Sequence, residues 1–342
     1  MDRTLLNRLS ILFSLPVMMV LLALLTSAAS EASEASEESA AADTTTSADS
    51  VKFSQKLDIQ LRYDNRSNRP SREQYRFRYY PSVSLSNTWS LHSFVVTGDG
   101  FSSSHNTIGS SNTNYLYARR LYARHESQYG KTEFGIIPTY KGRVSSTGLS
   151  KDGWITGFRH VRSLRNNSAI EVVVGHLVNE QANHALDIGK GNSNDNYFEV
   201  EYSARMGQRH SYEASIERML RGDFLRAEYR FNYSSDNTLF FENVQRIDAS
   251  ANKFVAGMSG EFSGERVSQP YPIEYFAYYS YVDDGFGERV ELTEDFLGTG
   301  HGGSVEFSSV LSRQHNTDWF VRVDTVGGVT RLLAGVKLSL NR

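Results

Sequence analysis

The chain has 342 residues, of which 39% are hydrophobic and 12% aromatic, with a formal net charge of -3 at pH 7. It has no cysteine, which excludes disulfides, thiolate metal sites, cysteine nucleophiles and a lipid anchored to a cysteine after leader cleavage. The mean hydropathy is -0.44, no stretch beyond residue 25 reaches the length of a membrane helix, and no basic aromatic module supports nucleic-acid binding.

Arg3 and Arg8 give a positive start, residues 11–25 an apolar run, and Ser27, Ala28 and Ala29 a small-residue cleavage site. Together they form the three parts of a secretory signal peptide over residues 1–29. The apolar run is shorter than the roughly 20 residues of a spanning helix, and Pro16 interrupts it, which disfavours an uncleaved anchor. Residues 30–50 then collapse to Ala, Ser, Glu, Thr and Asp. Such a segment buries too little apolar surface to offset its ordering entropy, so a disordered acidic tail is expected.

From residue 51 onward the dominant period is two. Leu57, Ile59, Leu61 and Tyr63 alternate with Lys56, Asp58, Gln60 and Arg62, and Tyr75, Phe77 and Tyr79 with Gln74, Arg76 and Arg78. Leu225, Ala227, Tyr229 and Phe231 alternate with Arg226, Glu228 and Arg230, and the last run places Leu332, Ala334, Val336, Leu338 and Leu340 on one side. This is the pattern of strands wetted on one face. Short links are expected near 86–88, 126–129, 164–168, 206–209, 234–237, 263–270 and 313–317. They alternate with a second series near 64–73, 99–113, 139–151, 178–194, 221–223, 248–252, 283–302 and 327–328, which contains the longer links. Alternation of short turns with longer loops predicts an all-β fold, a transmembrane antiparallel up-and-down β-barrel of about sixteen strands over residues 51–342. Soft boundaries admit fourteen to eighteen. An even count returns the C-terminus to the side of the N-terminal tail, here the periplasm of a bacterium with an outer membrane. A soluble protein of many short strands is the competing fold, but an apolar face on nearly every strand needs lipid or a second sheet.

Charge is uneven along the chain. Between Arg72 and Arg165 thirteen Lys and Arg face five acids, and from residue 166 onward the balance reverses. In a closed barrel these sections form opposed walls, and about sixteen strands leave a lumen too wide for side chains to fill. Parity points Arg76 and Arg78 inward but does not decide between Arg119 and Arg120.

The stretch 117–165, YARRLYARHESQYGKTEFGIIPTYKGRVSSTGLSKDGWITGFRHVRSLR, resembles bacterial porins. An aromatic-basic strand is followed by a G-x-x-x-x-G strand at 130–135, a loop at 139–151 and a D-G pair at 152–153. The resemblance implies a passive outer-membrane diffusion channel for small polar or anionic solutes, surrounded by lipid and lipopolysaccharide, with a homotrimer by analogy. It also implies that the 139–151 loop folds inward, bringing Lys141, Arg143 and Lys151 to the narrowest point opposite Glu199, Glu201 or Glu228. The candidate pore-lining residues are therefore Arg76, Arg78, Arg120, Arg124, Lys141, Arg143, Arg159, Glu199, Glu201 and Glu228.

Enzymatic barrels of the esterase or phospholipase type and polymer-export or scaffold barrels are the alternatives. No G-x-S-x-G elbow and no H-E-x-x-H site occurs, and the nine histidines are scattered without ligand spacing. His301 in the glycine-rich 298–303 segment reads as an external loop residue, and Arg221-Gly222-Asp223 as a tight polar turn. No catalytic residue, metal site or cofactor is expected.

Overall fold

The computed structural model describes residues 51–98, 104–110, 115–138, 154–165, 167–178, 185, 196–262, 271–287 and 298–341. The expected signal peptide and acidic tail lie outside them. Chain contacts separate residues 1–53 from a unit of 54–342; the first contributes only the start of β1 to the described residues, and the barrel below is a property of the second.

The strands are β1 (Lys52–Arg66), β2 (Arg69–Ser84), β3 (Trp89–Gly98), β4 (Asn106–Thr107), β5 (Tyr115–Ser127), β6 (Gly130–Pro138), β7 (Trp154–Ser163), β8 (Ser168–Val178) and β9 (Tyr197–Met206). They continue as β10 (His210–Met219), β11 (Gly222–Asn232), β12 (Thr238–Arg246), β13 (Ala251–Phe262), β14 (Ile273–Val282), β15 (Gly300–Ser312), β16 (Thr317–Val326) and β17 (Val329–Asn341). The two-residue β4 pairs with β2 beyond the end of β3, at Gln74↔Thr107 and Tyr75↔Asn106, and leaves sixteen long strands. Each long strand pairs antiparallel with its successor, and β1 pairs with β17 from Lys56↔Asn341 to Arg66↔Arg331, so the sheet closes on itself. Closure satisfies every edge, the condition under which strands can cross a bilayer.

Both ends of the barrel chain lie at one rim, here called the terminal rim. Its links are 85–88, 128–129, 164–167, 207–209, 233–237, 263–272 and 313–316, all but one of five residues or fewer. The distal rim carries the long links, 139–153, 179–196, 283–299 and the stretch between β3 and β5, interspersed with tight turns. At 327–328 both central residues have positive φ, +53° and +78°, which is why two glycines stand there. One expected link differs: in place of a loop over residues 64–73, β1 and β2 run on to a two-residue turn at 67–68. Their distal ends are polar on both faces, Asp64 and Arg66 within and Asn65 and Ser71 without, so period two fades although pairing continues.

The outer face carries the apolar half of each alternation. Leu61, Phe77, Leu91, Phe134, Phe158, Phe198, Ile216, Leu225, Phe241, Phe254, Val305, Val323 and Leu340 are all exposed large hydrophobic residues. Exposure on this scale around a closed sheet is an apolar band for lipid. Aromatic and histidine side chains cluster on that face near the rims. His210 bonds the Tyr229 hydroxyl at 2.7 Å, and His301 bonds Tyr279 at 2.6 Å. Such amphipathic rings suit a membrane interface.

The inner row Gly135–Gly157–Gly175 crosses β6, β7 and β8 in register. A Cβ on Gly157 would lie 2.2 Å from the Val174 carbonyl oxygen, and one on Gly175 2.5 Å from that of Thr156. Only glycine fits where neighbouring backbones approach this closely.

Candidate functional site

Inward-facing polar residues form three charged knots joined by the strand registers. The first lies near the distal rim around Asp64, which accepts from Arg69 at 2.7 Å and Arg72 at 2.8 Å, with Arg66 3.6 Å away. Across the seam Arg331 stands opposite Arg66 and donates from Nε to Asp324 at 2.8 Å, while Arg322 donates to the other oxygen of Asp324 at 2.6 Å. Two aspartates thus hold five arginines. None of these arginines except Arg72 falls within the basic stretch read from the sequence. Arg62 shares the parity of Asp58 and Gln60, whereas Arg66 falls in the 64–73 stretch expected as a loop.

The second knot centres on Glu133 of β6, fully buried. Arg124 of β5 donates to its Oε1 at 2.8 Å and Arg159 of β7 to its Oε2 at 2.9 Å. Arg159 also donates to the Pro138 carbonyl at 2.8 Å, and its Nε lies 3.0 Å from Glu171 of β8. One buried carboxylate therefore fixes two of the predicted arginines as a cross-strand strut.

The third knot belongs to the acidic arc. Glu213, Glu228 and Glu242 stand in one cross-strand row over β10, β11 and β12, an arrangement of directly opposed like charges that is destabilising by itself. Arg226, fully buried one step along β11, answers all three. It donates to Glu242 at 2.7 Å and to Glu213 at 3.3 Å, pairs with Glu228, and lies 3.5 Å from Glu201. Arg230 pairs with Glu228 from the other side. Glu199, also buried, accepts from the Tyr197 hydroxyl at 2.7 Å. Sequence parity reaches Arg226 as readily as Glu228, whereas charge counting along the chain passes over it.

The ambiguity at Arg119 and Arg120 has a structural cause. Phe94 faces Arg120 and Val95 faces Ala118, so Arg119 is the extra residue of a β-bulge. Both arginines are consequently buried, at 1% and 8% exposure. Arg76 and Arg78 of β2 take the expected inner parity and are half-buried. They lie eight strand steps from Glu228 in a ring of sixteen, on opposite sides of the barrel. Lys141, Arg143 and Lys151 lie outside the described residues.

Polarity does not extend over the whole inner wall. At the distal ends of β6–β14 inward residues such as Ile137, Ile155, Leu177, Met219, Phe224, Val244 and Val282 form a buried apolar cluster. Phe286, from the 3-10 turn Asp284–Phe286 after β14, folds back onto Phe224 with ring centroids 5.5 Å apart. The turn is tied down by Arg246, which donates to the Gly285 carbonyl at 3.1 Å and to Asp248 at 2.8 Å. The Asp223 amide donates to the same carboxylate at 3.1 Å. These bonds, the Arg246 side chain foremost, pull the Asp248 carboxyl down to about 2. Among the described residues no group of three or more His, Asp or Glu side chains is placed to hold a metal ion.

No protein-family model matches the chain, and no curated protein matches it in sequence. Solved structures do. A variant of the Rhodopseudomonas blastica porin with five substitutions superposes with a TM-score of 0.57 at 9% identity, over 85% of this chain and 100% of that one. A second variant of that porin gives the same values. A structure titled "Asymmetric conductivity of engineered proteins" gives 0.56 at 8% identity with the same coverage. The likeness establishes a porin-like barrel fold.

Proposed function

We propose that the protein is an outer-membrane channel through which small polar or anionic solutes diffuse passively, sorted by lumen size and charge. The observation that carries this reading is the division of the inner wall of a sixteen-stranded barrel into opposed arcs. Arginines lie on β2, β5 and β7, and carboxylates are gathered on β9–β12. Opposed charges across a narrow aqueous passage orient dipolar solutes and set ion preference without covalent chemistry. In this reading the apolar band meets lipid and lipopolysaccharide, and the terminal rim faces the periplasm with the tail and C-terminus. Residues 1–29 are removed, Lys141 and Arg143 narrow the passage, and the barrels associate as trimers. Single-channel recording in planar bilayers tests the core of it. Discrete conductance steps are expected, with anion preference reduced in R76Q/R78Q; purified folded barrel that forms no pores would overturn the channel.

A further inference from the structure

The outer face of β5–β8 near the terminal rim carries a cation that the inner-wall knots do not use. Arg162 of β7 shares the outward parity of Phe158 and His160 and is exposed. It makes no ion pair and no side-chain hydrogen bond among the described residues. Its partners in register are Gly130 of β6, which adds no side chain, and Ile170 of β8. One row toward the middle of the wall, about 7 Å along the strand, stand Trp89, His125, Thr132 and His160, each opposite the next. The rings of Trp89 and His125 are 4.8 Å apart, and the Thr132 hydroxyl shares a 2.9 Å hydrogen bond with His160 Nδ1, which leaves Nε2 for another group. The next row is apolar, with Phe134, Phe158 and Val174 all exposed. Every acid of β5–β9, namely Glu126, Glu133, Glu171, Glu199 and Glu201, takes the inner parity.

This face lies outside the lumen, so passing solutes do not explain an arginine there, and the barrel itself offers that arginine no acceptor. A lipid headgroup does. At a membrane interface a guanidinium lays its stem along apolar surface and holds its planar fork at headgroup depth, where phosphate oxygens accept two hydrogen bonds side by side. Trp89 marks that depth on the same face. From the rim inward the order is cation, hydroxyl and imidazole, then exposed rings. A phosphoglyceride presents the matching order of phosphate, ester and acyl chain. With no carboxylate on these strands to receive an ammonium headgroup, charge favours a lipid of net negative charge over a zwitterionic one.

We propose that Arg162, His160 and the row Phe134–Phe158–Val174 form a binding site for one anionic phosphoglyceride, with the phosphate on Arg162 and the acyl chains along the exposed rings. The assignment rests on the membrane-spanning reading, with the leaflet at the terminal rim as the source of the lipid, and not on conduction. Phosphatidylglycerol is the probe and phosphatidylethanolamine the control, offered in equal amounts to the detergent-purified barrel and counted by native mass spectrometry. Wild type should retain one phosphatidylglycerol in preference to phosphatidylethanolamine. In R162Q that preference should fall about tenfold. In R209Q, which removes an exposed arginine from the 207–209 link of another sector, it should be unchanged. Folding of each variant is checked by the altered electrophoretic mobility of the unheated barrel. Equal retention of the two lipids by wild type, or the same loss in R209Q, would overturn the site. Displacement of the lipid by inorganic phosphate would overturn it too, by identifying a site for the free ion. A changed oligomeric state in R162Q with unchanged lipid preference would assign the face to a second copy of the chain instead. Absence of pores with intact, Arg162-dependent lipid preference would remove the channel and leave the lipid site.

Discussion

Replacing Arg226 with methionine keeps an unbranched side chain but withdraws a cation that meets Glu201, Glu213, Glu228 and Glu242 together. Glu228 and Glu242 side chains are 1% exposed and Glu213 17%, so water cannot readily replace the guanidinium. Removing one partner of a buried pair costs about 3–5 kcal/mol. The row of facing carboxylates adds repulsion, which Arg230, bonded to Glu228 alone, does not relieve. We therefore expect R226M to lose about 3 kcal/mol or more, read from urea unfolding by tyrosine fluorescence and the mobility of the unheated barrel. The triple variant R226M/E228Q/E242Q removes the two most buried charges of the row together with their cation, leaving the more exposed Glu213, and should recover most of that loss, because amides tolerate one another where carboxylates do not. If R226M unfolds within about 0.5 kcal/mol of wild type, or if the triple variant is worse than the single, the account of Arg226 as the keystone of the acidic arc is wrong.

Other expectations follow from the same structure. D324N withdraws the carboxylate that the fully buried Arg331 meets at 2.7 Å and should destabilise the barrel by about 3 kcal/mol in the same urea assay, whereas D223N, at the exposed pair of Asp223 with Arg218, should change it by less than about 0.5 kcal/mol. G157V places methyl groups where the Val174 carbonyl oxygen already stands, so it should abolish the folded mobility shift in refolding trials; normal yields would argue against the close backbone approach. The Asp248 carboxyl, held at about 2, should keep the Phe286 turn latched well below the usual carboxylate range. Its folded value is depressed, so its contribution is present above about pH 4 and is lost as pH falls through about 2. Hydrogen exchange of the Asp223 amide should thus stay slow at pH 3 in wild type and be fast at that pH in D248N.

Period-two alternation made the barrel legible because lipid and water impose opposite demands on successive residues. Leu225, Tyr229, Arg226 and Glu228 each face the side their parity predicts, as do Arg76 and Arg78. Where that contrast disappears, so does the signal. Beyond the lipid band both faces of β1 and β2 meet water, and the strands were mistaken there for a loop. Near the distal rim both Ile136 and Ile137 are fully buried, one on each face, and no alternation reveals an apolar cluster inside a barrel. A bulge is a third case: one inserted residue at Arg119 shifts parity over the rest of β5, and nothing in YARRLY marks which arginine is extra. Partners within a knot were harder still, since Glu133 reaches Arg124 and Arg159 only through strand registers.

The seam between β1 and β17 has a consequence for how the chain is made. Every other junction joins strands adjacent in the chain and can form as a hairpin, but the hydrogen bond from Ser339 Oγ to Asp58 spans 281 residues. Contacts of such separation form late, so assembly runs as a sheet that grows strand by strand and becomes a ring in one last step. The loop-closure entropy of that step rises only by about 0.6 kcal/mol per doubling of length, so a long chain delays the event more than it penalises it. The inner-wall recess beside Tyr80, Phe94 and Tyr122 is lined by both Lys56 and Asn341, one from each side of the seam, so its shape is complete only with that final pairing.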